Sequence, residues 1–129
     1  MRPAIFKIFR IWSITMENQF ELVHIGINTP NDREAAALAE LLSRMFNLTP
    51  RQGQKSQFAG SYFECMKTPF LGANGHIAMA TENLESAMEE LKEKGFDFRM
   101  ETAAYDDRGI KNVYLDGEFG GFAIHILRK

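Results

Sequence analysis

The stretch that decides the fold is Gly75-His76-Ile77-Ala78-Met79-Ala80-Thr81, which is the second version of a pattern that first occurs as Val23-His24-Ile25-Gly26-Ile27-Asn28-Thr29. Both stretches alternate aliphatic residues with His, Gly, Ala or Asn, and this alternation indicates a β-strand with two different faces. Each stretch runs into a segment with amphipathic helical spacing, residues 31–46 after the first and 83–94 after the second. The repeated unit is therefore a strand followed by a helix, and it predicts two equivalent modules.

Length and composition indicate a single domain. A chain of 129 residues with 45% hydrophobic residues can build a normal core, whereas modules of about fifty residues would be too small to stand alone. We expect one α+β domain over residues 16–129, with module one over about 20–70 and module two over about 74–129.

An N-terminal extension is predicted over residues 1–15, where apolar residues are interspersed with Arg2, Lys7 and Arg10 ahead of Met16. A secretory signal would group its charges before an unbroken apolar stretch, and the segment is too short and too charged to span a bilayer. We expect it to pack on the domain or on a partner chain, or to reflect a start upstream of Met16; an amphipathic surface anchor is the alternative.

Net charge and cysteine content limit the classes of binding partner and the cellular compartment. A formal net charge of −2 and a pI near 5.9 provide no basic field for nucleic acid. The single Cys65 excludes an internal disulfide and suits a reducing compartment. We therefore expect a cytoplasmic protein that binds neither nucleic acid nor a membrane.

Alternation assigns side chains to faces along the predicted strands. In the strand over 20–28, Val23, Ile25 and Ile27 share one face, and the opposite face carries Leu22, His24, Gly26 and Asn28. Residues 51–59 are predicted to form a weak strand and a loop, and a strand over 60–68 has Glu64 on the face opposite Cys65. Further strands are predicted at 96–102, 111–115 and 122–127, so module two reads β-α-β-β-β and module one is shorter by about a strand.

A candidate metal site follows from the placement of all three histidines and one glutamate. His24, His76 and His125 lie in first or last strands of the modules, as does Glu64, and all four avoid the aliphatic face. Imidazole and carboxylate ligands suit zinc, nickel, cobalt, manganese or iron(II), and four of them leave one or two positions open for a substrate oxygen. Each residue also has an alternative role that involves no metal, because a strand histidine usually makes a hydrogen bond and a strand glutamate is usually solvated.

Over about residues 20–129 the chain resembles the vicinal oxygen chelate superfamily, which includes glyoxalases, bleomycin-resistance proteins and dioxygenases. The resemblance lies in the order of these four residues, in Gly75-His76-Ile77-Ala78 and in the closing Gly-Phe-Ala-Ile-His-Ile strand. The resemblance implies paired βαβββ modules that form a curved mixed sheet around a metal-binding cup. It implies that His24, Glu64, His76 and His125 are the metal ligands. The family commonly has glutamate at the position of His125. The closing strand is also similar to small modules attached to keto-deoxy sugar-acid aldolases.

The function expected from this resemblance is a metal-dependent lyase or isomerase of glyoxalase type. A divalent ion with three neutral histidines and one glutamate leaves a site of about one positive charge, which favours a small anionic substrate. Proton abstraction next to a carbonyl would give a metal-stabilised enediolate, with Glu64 as the catalytic base. A homodimer is also expected.

Three other functions are alternatives to this one. A non-catalytic small-molecule-binding module would not need four ligand-type residues, and a cupin would need a His-x-His pair that is absent. Dioxygenase chemistry at iron(II) usually uses fewer protein ligands. The remaining polar candidates for holding a carboxylate or phosphate are Arg51, Tyr62, Lys67, Arg99, Tyr105 and Tyr114, which the sequence does not rank.

Overall fold

The computed structural model describes residues 17–129, so the predicted extension over 1–15 lies outside the described residues. Eight strands and two helices follow one another along the chain: β1 (Glu21–Asn28), α1 (Asp32–Phe46), β2 (Pro50–Gln52), β3 (Ser56–Ala59), β4 (Phe63–Met66), β5 (Gly75–Thr81), α2 (Leu84–Glu93), β6 (Phe98–Asp106), β7 (Gly109–Leu115) and β8 (Phe122–Arg128). A strand, a helix and three strands thus occur in the same order twice.

All eight strands belong to one mixed sheet with the order β2-β3-β4-β1-β5-β8-β7-β6. The β1–β4 and β5–β8 pairs are parallel, and the central β1–β5 pair is antiparallel. The predicted α+β class is confirmed. Because β1 and β5 are hydrogen-bonded neighbours at the centre, His24 and His76 are diagonal neighbours on adjacent strands, with Ala78 opposite His24 and Gly26 opposite His76.

Both helices cover the sheet face opposite the histidines. Under α1 the buried residues include Ala39 and Cys65, and Cys65 alternates with Glu64 along β4. Under α2 they include Leu84 and Ile126, and Ile126 alternates with His125 along β8. Since successive strand residues point to opposite faces, burial of this aliphatic side leaves the polar side uncovered by helices.

An asparagine caps the start of each helix. Asn31 caps α1, with its Oδ1 accepting a hydrogen bond from the Glu34 backbone N–H at 2.9 Å, and Asn83 caps α2 by accepting from the Ser86 N–H at 3.0 Å. Gly95 follows α2 with a φ of +99°, a left-handed conformation in which glycine carries no steric penalty. Neither helix within residues 17–129 is long and apolar enough to cross a membrane.

The structure differs from the sequence prediction in three places. Residues 50–59 form two short strands, β2 and β3, so the first half is not shorter by a strand. The strand predicted over 60–68 is confined to Phe63–Met66. The pairing of β1 with β5 shifts between Leu22 and His24, so that Leu22 lies opposite Met79 and does not share the His24 face.

Candidate metal centre

The strand register places the four predicted ligands in two rows across the sheet. In the first row, Gly26 of β1 lies between Glu64 of β4 and His76 of β5. In the second row, Ala78 of β5 lies between His24 of β1 and His125 of β8. Within each row a residue with no side chain, or only a methyl group, separates two polar residues, so their side chains can lean toward each other over it.

Three of the four side chains converge on one point. The Nε2 atoms of His24 and His76 are 3.2 Å apart, and Oε1 of Glu64 is 3.1 Å from the first and 3.3 Å from the second. These atoms form a nearly equilateral triangle of two nitrogens and one carboxylate oxygen. Within residues 17–129, this is the group of His, Cys, Asp and Glu side chains that is compact enough to hold a metal ion.

The triangle has the size that a transition-metal ion requires. With metal–ligand distances of about 2.1 Å, neighbouring ligand atoms are about 3.0 Å apart in octahedral geometry and about 3.4 Å apart in tetrahedral geometry. The observed separations of 3.1 to 3.3 Å fall between these values. Two imidazoles and one carboxylate suit zinc, iron(II), cobalt, nickel or manganese better than calcium or magnesium, which prefer oxygen ligands.

Glu64 is oriented by Ser56, which the sequence analysis did not single out. The Ser56 hydroxyl, on the neighbouring strand β3, donates a 2.8 Å hydrogen bond to Oε2, while Oε1 faces the two histidines. Hydrogen bonds from His24 and His76, and then from Ser56, hold the pKa of the Glu64 carboxyl well below its usual range. The carboxylate is therefore ionised, as a metal ligand must be.

His76 is the most deeply placed member of the cluster. The residue is 3% exposed, and its imidazole lies directly over Gly26, where a Cβ would overlap three ring atoms. Its Nδ1 is buried without a hydrogen-bond partner among the described residues. Nε2 is thus the nitrogen that can reach a ligand or an ion at the triangle.

His125 lies beside the triangle and outside it. Its ring stacks on Tyr114, with centroids 4.2 Å apart and planes 1° from parallel, and its centroid is 6.3 Å from that of His76. Burial, followed by the nearby His76 and His24, lowers the pKa of His125 to about 4. Near neutral pH this imidazole is uncharged.

A cavity of about 630 Å³ opens above the cluster. Its volume is within the range of small-molecule sites, about 300–1,000 Å³. The four predicted ligands line it, together with residues from the β2–β3 connection, the end of β4, the β4–β5 connection and β7, namely Gln54, Lys55, Met66, Lys67, Thr68, Pro69, Phe70 and Tyr114.

The other polar candidates from the sequence analysis divide into residues that line this cavity and residues that lie elsewhere. Lys67 and Tyr114 line this cavity, and burial raises the pKa of Tyr114 to about 12. Arg51 lies 3.9 Å from the Phe58 ring centroid, and Arg99 pairs with Glu101 at 3.0 Å beside a smaller cavity of about 240 Å³. Tyr62 and Tyr105 are exposed and do not line the larger cavity.

No protein-family model matches this chain, and neither does any curated protein. Among solved structures, the chain is similar to a hypothetical protein from Bacillus halodurans, with a TM-score of 0.56 and 18% sequence identity. The match covers 85% of this chain and 94% of that chain. At this identity the likeness shows the fold alone.

Proposed function

We propose that this protein is a metal-dependent lyase or isomerase of glyoxalase type in the vicinal oxygen chelate superfamily, with two βαβββ modules forming a cup around the ion. The observation that carries the proposal is the triangle of His24 Nε2, His76 Nε2 and Glu64 Oε1, whose sides match the ligand spacing of a divalent transition metal. A bound ion would polarise a substrate carbonyl and stabilise the negative charge that develops when the neighbouring carbon loses a proton.

The residues have distinct roles in this proposal. His24 and His76 hold the ion, and Glu64 supplies the third ligand as well as the proposed catalytic base. Ser56 keeps one carboxylate oxygen of Glu64 in a fixed orientation through its 2.8 Å hydrogen bond. Met66, Pro69 and Phe70 give the cavity an apolar wall beside the cluster.

His125 is proposed to carry a proton in this protein. It occupies the position on β8 that Glu64 occupies on β4, because each residue is paired with the strand position two residues after a cluster histidine. Its ring lies outside the triangle, with its centroid 6.3 Å from that of His76, so it can exchange a proton while the other three side chains stay in place.

The test combines metal analysis with isotope exchange. Elemental analysis of untagged protein is expected to find about one zinc, iron, cobalt, nickel or manganese ion per chain in the wild type and in His125→Asn, and none in His76→Ala. In deuterated water, NMR would follow exchange at carbons next to the carbonyl of small hydroxy-ketones and keto acids. Glu64→Gln and His125→Asn are each expected to slow exchange by about 100-fold or more.

Two results would contradict the proposal. A wild-type protein that holds no transition metal after incubation with each ion would remove its basis. A metal-loaded protein that exchanges no proton in any such compound would instead favour the non-catalytic binding module. If His125→Asn also lost the ion, His125 would be a fourth ligand and would not be the proton carrier.

The number of converging ligands favours a second candidate function, oxygen-dependent ring cleavage. Two histidines and one carboxylate with open positions are the ligand set of non-haem iron(II) oxygenases, and the structure brings together three side chains where the sequence suggested four. Iron(II)-loaded protein would be mixed with catechols and monitored with an oxygen electrode. Oxygen consumption that is lost in His24→Ala would support this second function over the first.

A further inference from the structure

We propose that the cavity selects small molecules with two polar ends, an oxygen pair that meets the ion at the His24–Glu64–His76 cluster and a carboxylate or phosphate that meets Lys55 and Lys67. The inference rests on the proposed function, since the first contact needs an ion at the cluster. It adds the substrate class and the residues that recognise it.

The two lysines lie next to each other at one side of the cavity. Lys67 follows the last residue of β4, three positions after Glu64, which corresponds to about 10 Å along a strand. Lys55 precedes β3, and its carbonyl accepts a 3.0 Å hydrogen bond from the Lys67 backbone N–H. Both line the cavity. The two side chains therefore start from neighbouring positions at this side of the cavity.

With a divalent ion bound, the charge of the cavity would differ in sign from that of the chain. Apart from the histidines, the charged residues that line the cavity in the described part of the chain are Glu64, Lys55 and Lys67. With neutral histidines their charges sum to +1, Asp32 beside Lys67 offsets this charge, and a divalent ion would make the recess positive, although the whole chain carries −2. A positive recess in an acidic protein concentrates anions at that place.

The Lys67 ammonium is paired with Asp32, the first residue of α1. The Lys67 side chain is 20% exposed, and its Nζ is 3.6 Å from Oδ1 of Asp32, which also accepts a 2.7 Å hydrogen bond from Gln57. An ammonium group has three N–H donors, so the Asp32 contact leaves two for a ligand. Because Lys67 is partly ordered before binding, the entropy cost of using it is reduced.

The space between the two polar ends is lined by apolar groups. Met66, Pro69 and Phe70 border it, and the Phe70 ring lies edge-on to Tyr114 with centroids 5.9 Å apart. Such a wall suits a short carbon skeleton and offers few hydrogen-bond partners to an uncharged sugar. An anionic oxo or hydroxy acid, or its phosphorylated counterpart, fits this distribution of groups.

Three probes with the same metal-chelating head would test the inference by titration calorimetry on zinc-loaded protein. Acetohydroxamate is uncharged away from the head, succinic acid monohydroxamate adds a carboxylate, and phosphonoacetohydroxamate adds a phosphonate. At least one anionic probe is expected to bind about 10-fold more tightly than acetohydroxamate or better, which corresponds to about 1.4 kcal/mol. The probe with the larger advantage identifies carboxylate or phosphate as the preferred group.

The double variant Lys55→Gln/Lys67→Gln is expected to reduce this advantage to about 3-fold or less while acetohydroxamate binds as before. The matched control Lys92→Gln/Lys111→Gln removes the same charge from exposed lysines of α2 and β7 and should keep the full advantage. High salt should weaken the anionic probes more than acetohydroxamate, because the added contact is electrostatic.

The failures of the two proposals can be told apart. If acetohydroxamate binds but neither anionic probe binds more tightly, or if the advantage survives in Lys55→Gln/Lys67→Gln, the lysine assignment is overturned and the metal site stands. If the protein holds no zinc, or if zinc-loaded protein binds none of the three probes, the proposed function and this inference both fall.

Discussion

Gly26 and Ala78 show how one methyl group differentiates the two central histidines. Gly26 lies opposite His76 in the β1–β5 pair, and Ala78 lies opposite His24. The His76 ring can rest on the bare backbone of Gly26, whereas the Ala78 Cβ occupies the corresponding space under His24. This difference accounts for the side-chain exposures, 4% for His76 and 20% for His24.

We predict that Gly26→Ala lowers the affinity for zinc by about 10- to 100-fold, because the new Cβ would overlap the imidazole of His76 and move it out of the triangle. Competition with a fluorescent zinc chelator would measure the affinity. Ala78→Gly is the matched control, since it removes the corresponding methyl group and should keep affinity near that of the wild type. Unchanged zinc affinity in Gly26→Ala would show that His76 is not a ligand.

A second prediction concerns His125 in the metal-free protein. Its pKa is lowered from 6.5 to about 4 in the folded state, mainly by burial, so the unfolded chain binds the proton more readily than the folded protein does. Folding stability should therefore fall as the pH drops from about 6.5 to about 4, by about 2 kcal/mol at most once solvent screening is considered.

His125→Phe would isolate this contribution, because phenylalanine keeps a ring against Tyr114 but does not titrate. Urea denaturation at several pH values is expected to show a shallower loss of stability below pH 6.5 in the variant than in the wild type. If the free energy of unfolding changed equally with pH in both proteins, protonation of His125 would not destabilise the folded state.

Among the elements, the helices are the most predictable from sequence and the first three-strand segment is the least. Each helix follows an asparagine and carries a regular apolar stripe, and both signals are local. Strands β2 and β3 are three and four residues long and mostly polar, so no alternation reveals them. They form because β4 and β3 offer unpaired edges, which is a tertiary effect.

The caps provide a prediction at this scale. Asn31→Ala and Asn83→Ala are each expected to lower the free energy of unfolding by about 1 kcal/mol, because the Glu34 or Ser86 backbone N–H loses its acceptor. Chemical denaturation would measure the change. Asn31→Asp and Asn83→Asp keep an acceptor at the same place and should stay close to the wild type. Equal losses in the Ala and Asp variants would contradict the capping role.

For the whole molecule, the candidate ion joins strands from both halves of the chain. Its proposed ligands lie on β1, β4 and β5, and the β1–β5 pair is the central contact of the sheet. A ligand that binds only the folded state stabilises it by about 2.7 kcal/mol at 100 times its Kd. The metal should therefore stabilise the complete fold and not one half of it.

We predict that a strong chelator lowers the Tm of metal-loaded protein by several degrees, in a single transition, and that added zinc restores it. Differential scanning calorimetry would record both changes. His76→Ala should start at the lower Tm and respond to neither treatment, whereas Lys111→Gln should respond like the wild type. A chelator that leaves the wild-type Tm unchanged would argue against a structural contribution from the metal.

By itself, the sequence determined the local features of this protein: the repeated strand and helix, and the face on which each histidine and Glu64 lies. These follow from alternation and helical spacing, which depend on neighbouring residues only. The tertiary structure alone decided which side chains meet. Pairing of β1 with both β4 and β5 brings His24, His76 and Glu64 together, while His125 stacks on Tyr114 and Ser56 reaches Glu64 from another strand. Those contacts join residues far apart in the chain, and no local pattern encodes the distance between them.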